Sequence, residues 1–476
     1  MKRKFIRDLS VNTFQVIINQ VSGLVIFYIL SAYFSKNIFG EINWSLAILL
    51  AVFSILSLGI DQVAVKKIAA GKNPHSILSI YFTHVLIAGG LFYIFLLACF
   101  FIFPHILQNH FLLLFLGIGK LMIFLSTPFK QLANGLEKFR ALLYMSVCSN
   151  VARSSFLILY SLFAKPELAT VIIIFIVGDS AELLVSFLIT KKFIRIPVSV
   201  KLNKIEYLNL IKESMPQVGV VIFTSAIARF DWIILGILSS NIIVAEYSFA
   251  FKAFELATLP LLVIAPILIP SFTRLFDSHL IKLTKEKSND LFTLLRFEMI
   301  ISSLVALMLN VLWVPVIDFI TDHKYGAKNH YTILLLSICM PLIYANNFLW
   351  TINFAKGKLK SIFYIFFFTF LSNVICDIIL IPFFGGEGAA VGYLLAIGIQ
   401  FGLFWLKTDL PELGKNIYPV FLCPIISFIS GALAIHFFDN IIITFPMSIF
   451  FFFIITILAR QLRYTDFQIL RRLSGI

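Results

Sequence analysis

Charge is scarce in this sequence: Asp, Glu, Lys and Arg make up 13% of its 476 residues, about half the share of a soluble domain. Hydrophobic residues make up 60%, and the mean hydropathy is +0.98. A chain this poor in charge cannot clothe itself in a hydrated surface, so lipid must be the solvent for most of it. Cysteine is sparse as well. Cys99, Cys148, Cys339, Cys376 and Cys423 all lie in apolar stretches without a CxxC spacing, and they read as small hydrophobes rather than disulfide partners or thiolate ligands. The eight histidines form no HExxH pair, and no GxxxxGK[ST] loop occurs. Neither a metal site nor an ATPase is expected, no cofactor is called for, and the chain reads as a non-enzyme.

In place of these features stands a succession of apolar stretches, each close to the roughly 20 residues that a bilayer-spanning helix needs. They predict an all-α polytopic membrane protein with about 14 helices, near residues 11–34, 42–64, 76–103, 111–133, 143–163, 168–190, 214–237, 247–272, 291–320, 331–354, 361–384, 388–406, 417–437 and 441–459. The basic start MKRKFIRD has the flank of a signal peptide, but the apolar segment behind it is too long and has no small-residue cleavage site, so it reads as a retained first helix. The formal net charge of +14 could suggest nucleic acid. The distribution argues otherwise. With the N-terminus inside, about 29 of the 38 Lys and Arg fall in inner connections and about 4 in outer ones, a topological excess rather than a binding patch. The inner group includes Lys2, Arg3, Lys4 and Arg7, then Lys66, Lys67 and Lys72, the richest run at Lys191, Lys192, Arg195, Lys201, Lys204 and Lys212, and Arg460, Arg463, Arg471 and Arg472 in the tail, and both termini are expected in the cytoplasm.

A weak duplication, offset by a little over 200 residues, runs through the chain. Ile6-Arg7-Asp8 precedes the first helix as Ile211-Lys212-Glu213 precedes the seventh. Ser35-Lys36-Asn37-Ile38 is matched by Ser239-Ser240-Asn241-Ile242, and Trp44-Ser45-Leu46-Ala47 by Tyr247-Ser248-Phe249-Ala250. After the fourth helix of each half comes A-x-G-x-x-K, at Ala133, Gly135 and Lys138 and again at Ala355, Gly357 and Lys360. Two six-helix bundles in parallel repeat follow, an arrangement that puts a substrate site between them. The expected organisation is a lobe over 1–190, a basic cytoplasmic linker over 191–213, a second lobe over 214–406, and an extra helix pair with a basic tail over 407–476.

RFDWIILG, Arg229 to Gly236, and AEYSFAFKAFELATLPLLVIAPILIPSF, Ala245 to Phe272, place an Asp, an aromatic-Ser-x-Ala-x-Lys run and spaced prolines in order. NGLEKFRAL after helix four and IPFFGGEGAAVGY, Ile381 to Tyr393, accompany them. In these segments the sequence resembles the multidrug/oligosaccharidyl-lipid/polysaccharide (MOP) exporter superfamily, specifically its polysaccharide-flippase branch of Wzx-type O-antigen and capsule translocases. Such proteins commonly have twelve helices. The extra pair is similar to that of the lipid II flippases, where it is understood to border a lipid-binding groove; here it either does the same or only adds packing surface. The resemblance implies a bacterial inner-membrane flippase whose partners are the bilayer and a lipid-linked oligosaccharide; coupling to H+ or Na+ is one reading of the paired carboxylates in this sequence.

Charged groups at mid-bilayer cost roughly 2.5–3.5 kcal/mol each on insertion scales, so those retained need partners or a water-filled cavity. Lys120 falls midway along helix four, Arg153 along five, Asp179 and Glu182 on six, Arg229 and Asp231 on seven, Lys252 and Glu255 on eight, Arg296 and Glu298 on nine and Asp377 on eleven. Counting rise from the helix ends puts Arg229, Asp231, Lys252 and Glu255 in one layer, roughly 9 to 13 Å from the outer ends. Arg229, Lys252, Lys120 and Arg153, with Asp231 and Glu255 beside them, are the candidates for a cationic cavity that takes a diphosphate, since guanidinium forks suit phosphate oxygens and Lys adds a point charge. Lys252 and Glu255, three apart on one face, equally suit mutual neutralisation. Asp179 and Glu182 share a face as well, and with Asp377 are the candidates for ion coupling; an ion pair to Arg153 is the competing reading. Asn12, Gln15, Asn19 and Ser22 form a polar stripe on helix one, to line a cavity or to join helices.

The function these readings support is flipping of an undecaprenyl-diphosphate-linked oligosaccharide by alternating access. An ion-coupled multidrug exporter of the same superfamily would favour an acidic, aromatic cavity instead. A membrane polymerase or ligase would carry a sizeable outer loop with catalytic residues, whereas the longest outer connection expected here is Thr321 to His330.

Overall fold

The computed structural model describes residues 2–107, 110–200, 203–227, 229–261, 285–408 and 417–463; these are helical throughout, joined by short turns, with no strand among them. The helices are α1 (Lys2–Tyr33), α2 (Lys36–Leu56), α3 (Ile60–Ala69), α4 (Pro74–Ile102), a single turn α5 (Pro104–Leu107), α6 (Phe111–Gly135), α7 (Phe139–Phe163), α8 (Leu168–Ile189), α9 (Lys204–Ile227), α10 (Phe230–Leu238), α11 (Asn241–Ala257), α12 (Lys285–Thr321), α13 (His330–Ala355), α14 (Leu359–Lys407), α15 (Pro419–Phe437) and α16 (Ile441–Leu458). Their polarity is arranged for lipid. On α4, Leu91, Ile94 and Phe95 face outward while Ser79, Thr83 and His84 are buried, the reverse of a water-soluble helix.

Eleven of these helices are long and apolar enough to cross a bilayer, and the rest of the expected fourteen are accounted for in three places. α14 runs for 49 residues, about 74 Å if straight, against a hydrocarbon core of about 30 Å. It is not straight. At Gly385 the backbone takes φ 53° and ψ −126°, a conformation essentially confined to glycine. A Cβ on Gly392 would run into the carboxylate of Asp377, although fifteen residues of continuous helix would separate the two by about 22 Å. The chain therefore doubles back, and the predicted spans 361–384 and 388–406 are the two arms of a hairpin. The seventh helix is present as α9, which ends at Ile227, and α10, which starts at Phe230 after a turn at Arg229, and it begins at Lys204, ten residues before the predicted start. The eighth is α11 as far as Ala257; its predicted end, with Pro266 and Pro270, lies outside the described residues, as do Lys201, Asn109 and the tail beyond Arg463. The second predicted helix, 42–64, is divided instead of continuous: Leu58 and Gly59 both take positive φ, ending α2 and starting α3.

Two compact units divide the chain, Met1–Gly236 with Ser240–Ala245, and Ile237–Ser239 with Glu246–Ile476. In the first, α6 is the hub, packed on α2, α3, α4, α7 and α8. The basic segment enters this unit as the first turns of α9, where Tyr207 meets His84, Glu206 accepts from Ser76 and Glu213 pairs with Lys67 at 2.9 Å. In the second, α12 packs on α13, α15 and α16, and α13 on the hairpin α14.

The duplication holds in the backbone, with a shifted register. Ser35 caps α2 by accepting from the Ile38 amide, and Ser240 caps α11 by accepting from the Ile243 amide, so the equivalent of Ser35 is Ser240 rather than Ser239. After α6, Glu137 takes φ 53° and the Lys138 amide reaches back to the Ala133 carbonyl; after α13, Gly357 takes φ 70° and the Lys358 amide reaches back to Asn353. These are the same left-handed helix end. The alignment of Gly135 with Gly357 and Lys138 with Lys360 is thus corrected by two residues: Glu137 occupies the place of Gly357, and Lys138 that of Lys358.

Candidate functional site

The first unit concentrates its buried charge where α6, α7 and α8 meet. Asp179 on α8, 1% exposed, receives Lys120 of α6 on one oxygen at 3.3 Å and Arg153 of α7 on the other at 3.3 Å; Ser149 donates to it as well. The rest of the guanidinium is fixed by the Asn150 side-chain oxygen at 2.6 Å, the Ser149 carbonyl and the ring of Phe175, 4.9 Å away. Asn150 in turn donates to Asn19 on α1 at 3.0 Å, so at this point the polar stripe of the first helix joins helices; the side chain of Asn12 lies outside the described residues. One turn beyond Asp179, Glu182 accepts from Lys130 at 2.7 Å and from Ser126.

Two glycines make this convergence possible. A Cβ at Gly119, beside Lys120, would lie 2.7 Å from the Asp179 carboxylate, and one at Gly178 would lie 2.5 Å from the Arg153 side chain. Close helix approach through small residues is the usual route to buried polar contacts in a membrane. The carboxylates of Asp179 and Glu182 share a face as expected, but each is matched to cations. Lys120, Lys130 and Arg153 against Asp179 and Glu182 leave one positive charge in excess. Such a cluster is suited to an anion that can compete for Arg153 and the lysines.

The structure thus brings together Lys120, Arg153, Asp179 and Glu182. Arg229 stands at the interruption between α9 and α10, half-buried, its guanidinium 4.5 Å from the Trp232 ring; Asp231 is fully buried and accepts from the Trp232 amide at 2.9 Å. Lys252 and Glu255 on α11 pair at 2.8 Å, as their spacing allows. Asp377 is fully buried in the α14 hairpin against Gly392. Sequence reasoning missed Lys130 and Glu41. Lys130 lies about 8 Å of rise from the end of α6 and Glu182 about 11 Å from the end of α8, so counting depth on helices four and six together would have paired them. Glu41, 5% exposed on α2, binds His110 at 2.9 Å and accepts from Asn241 at 2.8 Å, a link between segments 200 positions apart that no local pattern announces. Among the described residues no group of His, Cys, Asp and Glu is placed to hold a metal ion.

Known proteins share this architecture. A lipid II flippase, MurJ, in an inward closed conformation is similar over 94% of this chain and 98% of its own, at 15% identity and a TM-score of 0.70. An inward-facing multidrug resistance MATE family transporter of the MOP superfamily is similar over 84% and 98%, at 12% identity and a TM-score of 0.68. A MOP superfamily transporter from Pyrococcus furiosus, described with a binding pocket of reverse polarity, is similar over 86% and 96%, at 12% identity and a TM-score of 0.55. No curated protein sequence matches the chain. The fold is accordingly that of these transporters. The sequence pattern of one family, described as polysaccharide biosynthesis protein, matches residues 5–276, more than half of the chain and all of the buried α6–α8 cluster, and to that family the chain belongs.

Proposed function

We propose that the protein is a flippase that moves an undecaprenyl-diphosphate-linked oligosaccharide from the cytoplasmic to the outer leaflet of the bacterial inner membrane by alternating access. The observation that carries the reading is the buried cluster of Lys120, Lys130, Arg153, Asp179 and Glu182, whose one excess positive charge suits a diphosphate. Membership of a polysaccharide biosynthesis family and a fold shared with a lipid II flippase support a lipid-linked glycan as cargo. The diphosphate and sugars cross through protein while the polyprenyl tail stays in the bilayer. No covalent step is required, so we read the chain as a transporter and not an enzyme. Arg229 and Lys252, with Asp231 and Glu255 as partners, extend the proposed diphosphate path; Asp179, Glu182 and Asp377 are the proposed ion-coupling carboxylates, and a lobe boundary within residues 191–213 is part of the same proposal.

Deletion tests the reading. The deletion strain is expected to accumulate the lipid-linked unit on the cytoplasmic side and to lose the corresponding surface polysaccharide, read by lipid extraction and by glycan staining of intact cells. The likeness to a MATE transporter favours drug export as the second reading. Unchanged surface glycan together with new sensitivity to cationic dyes would decide for it.

A further inference from the structure

The second unit contains a carboxyl group that the α6–α8 cluster does not involve. Glu298 lies in the membrane-spanning part of α12, nine residues and about 14 Å of rise from Asn289, and is 3% exposed. Neither of its side-chain oxygens has a hydrogen-bond partner among the described residues. Its nearest cation in sequence is turned elsewhere. Arg296 is two positions away, about 200° around the helix, where side chains do not face each other. The Arg296 guanidinium lies over Phe292 at 5.4 Å and within electrostatic reach of Cys423 on α15. The backbone carbonyl of Ser303, two turns along from Arg296, accepts from the Ser427 hydroxyl, so α15 packs on α12 at this level.

Among the described residues, the helices packed on α12, which are α13, α15 and α16, carry no Lys or Arg. From α13 the group within electrostatic reach of Glu298 is the hydroxyl of Tyr344, which is neutral; Cys339 gives its thiol to the Leu335 carbonyl of its own helix. α16 carries no titratable residue at all. An ionised carboxylate buried in a low-dielectric interior without a cation or hydrogen-bond donor is strongly disfavoured, whereas a neutral carboxyl is tolerated. Ionisable groups kept inside membrane segments mark ion pathways and proton relays more often than packing.

We propose that Glu298 is a proton-binding site of the second unit, loaded in the conformation seen here and emptied when α12 and its neighbours rearrange during transport. The site would make flipping responsive to a proton gradient, and in that respect the inference rests on the flippase reading. The proton itself is independent of the cargo. It moves on and off a side-chain oxygen of Glu298, exchanging with water once the site opens, and no other bond changes.

Two measurements on the full-length protein in lipid decide the matter. Infrared difference spectra between the wild type and Glu298→Gln at neutral pH should contain a carboxylic-acid carbonyl band that shifts in heavy water and moves in frequency in Glu298→Asp; absence of such a band from the wild type overturns the proposal. In proteoliposomes supplied with a polyprenyl-diphosphate oligosaccharide, a gradient of about one pH unit should change the wild-type flipping rate by up to about tenfold, the shift in site occupancy that such a gradient can impose. Glu298→Gln should respond less to the gradient than the wild type, by the share that Glu298 carries beside the proposed coupling carboxylates of Asp179, Glu182 and Asp377. A Gln variant that still responds as the wild type does overturns coupling through Glu298. Wild-type protein that moves no lipid-linked glycan refutes the flippase reading instead, and the carbonyl band then still decides for or against the proton.

Discussion

At the scale of single residues, the rarity of charge makes the few buried charges informative. Lys252 and Glu255 show what can be decided. They pair at 2.8 Å on the half-buried face of α11. If Lys252 serves only Glu255, Lys252→Gln strands the carboxylate and lowers stability, and Lys252→Gln with Glu255→Gln restores both stability and export. If Lys252 holds diphosphate, the double mutant is folded and inactive, and Lys252→Arg keeps more activity than Lys252→Gln. Export normalised to folded protein separates the two. Gly178→Ala tests the packing on which the cluster depends: its methyl would meet the Arg153 side chain and the Ser149 carbonyl, and overpacking of this kind costs about 1–3 kcal/mol. The variant should lose thermal stability in detergent while Gly90→Ala, where a Cβ meets nothing within 4 Å, should not. Lys120, Arg153, Asp179 and Glu182 were legible in the sequence because a charge in an apolar stretch stands out. Their pairing was only partly legible, since Lys130 and Glu41 sit near helix ends where a charge raises no question.

At the scale of helices, hydrophobic stretches foretold where the chain crosses the membrane, and backbone conformations decided where it bends. Nothing in the letters of Ser57-Leu58-Gly59 announces that leucine takes a left-handed φ, so α2 and α3 read as one helix. The duplication was legible, but its register was not, because similar letters are not always at similar backbone positions. Ser35 and Ser240 correspond through the amide each one caps. Gly385 is the sharpest case. Its φ of 53° and ψ of −126° exclude a side chain, so Gly385→Val should destabilise the α14 hairpin by a few kcal/mol and lower the yield of folded protein, measured by size-exclusion chromatography in detergent. Asp377 and Gly392 should separate in the same variant, which a Gly392→Cys, Asp377→Cys crosslink would report as lost.

At the scale of the whole molecule, the bias of Lys and Arg toward alternate connections is the basis of the proposed topology. Residues near Asn203 are expected in the cytoplasm and His323 on the outer side. An impermeant thiol reagent applied to intact cells should label His323→Cys and leave Asn203→Cys untouched until the membrane is opened. The reverse pattern would overturn the orientation and with it the direction of flipping. The hairpin also constrains how the protein is made. Between its arms only Glu387 is charged, and the turn itself is a few residues long, so the first arm ends without a hydrophilic anchor to hold it across the bilayer alone. The two arms are therefore expected to insert as a pair, with Asp377 shielded by Gly392; a chain truncated after the first arm should fail to stay integrated in the membrane, as carbonate extraction would read.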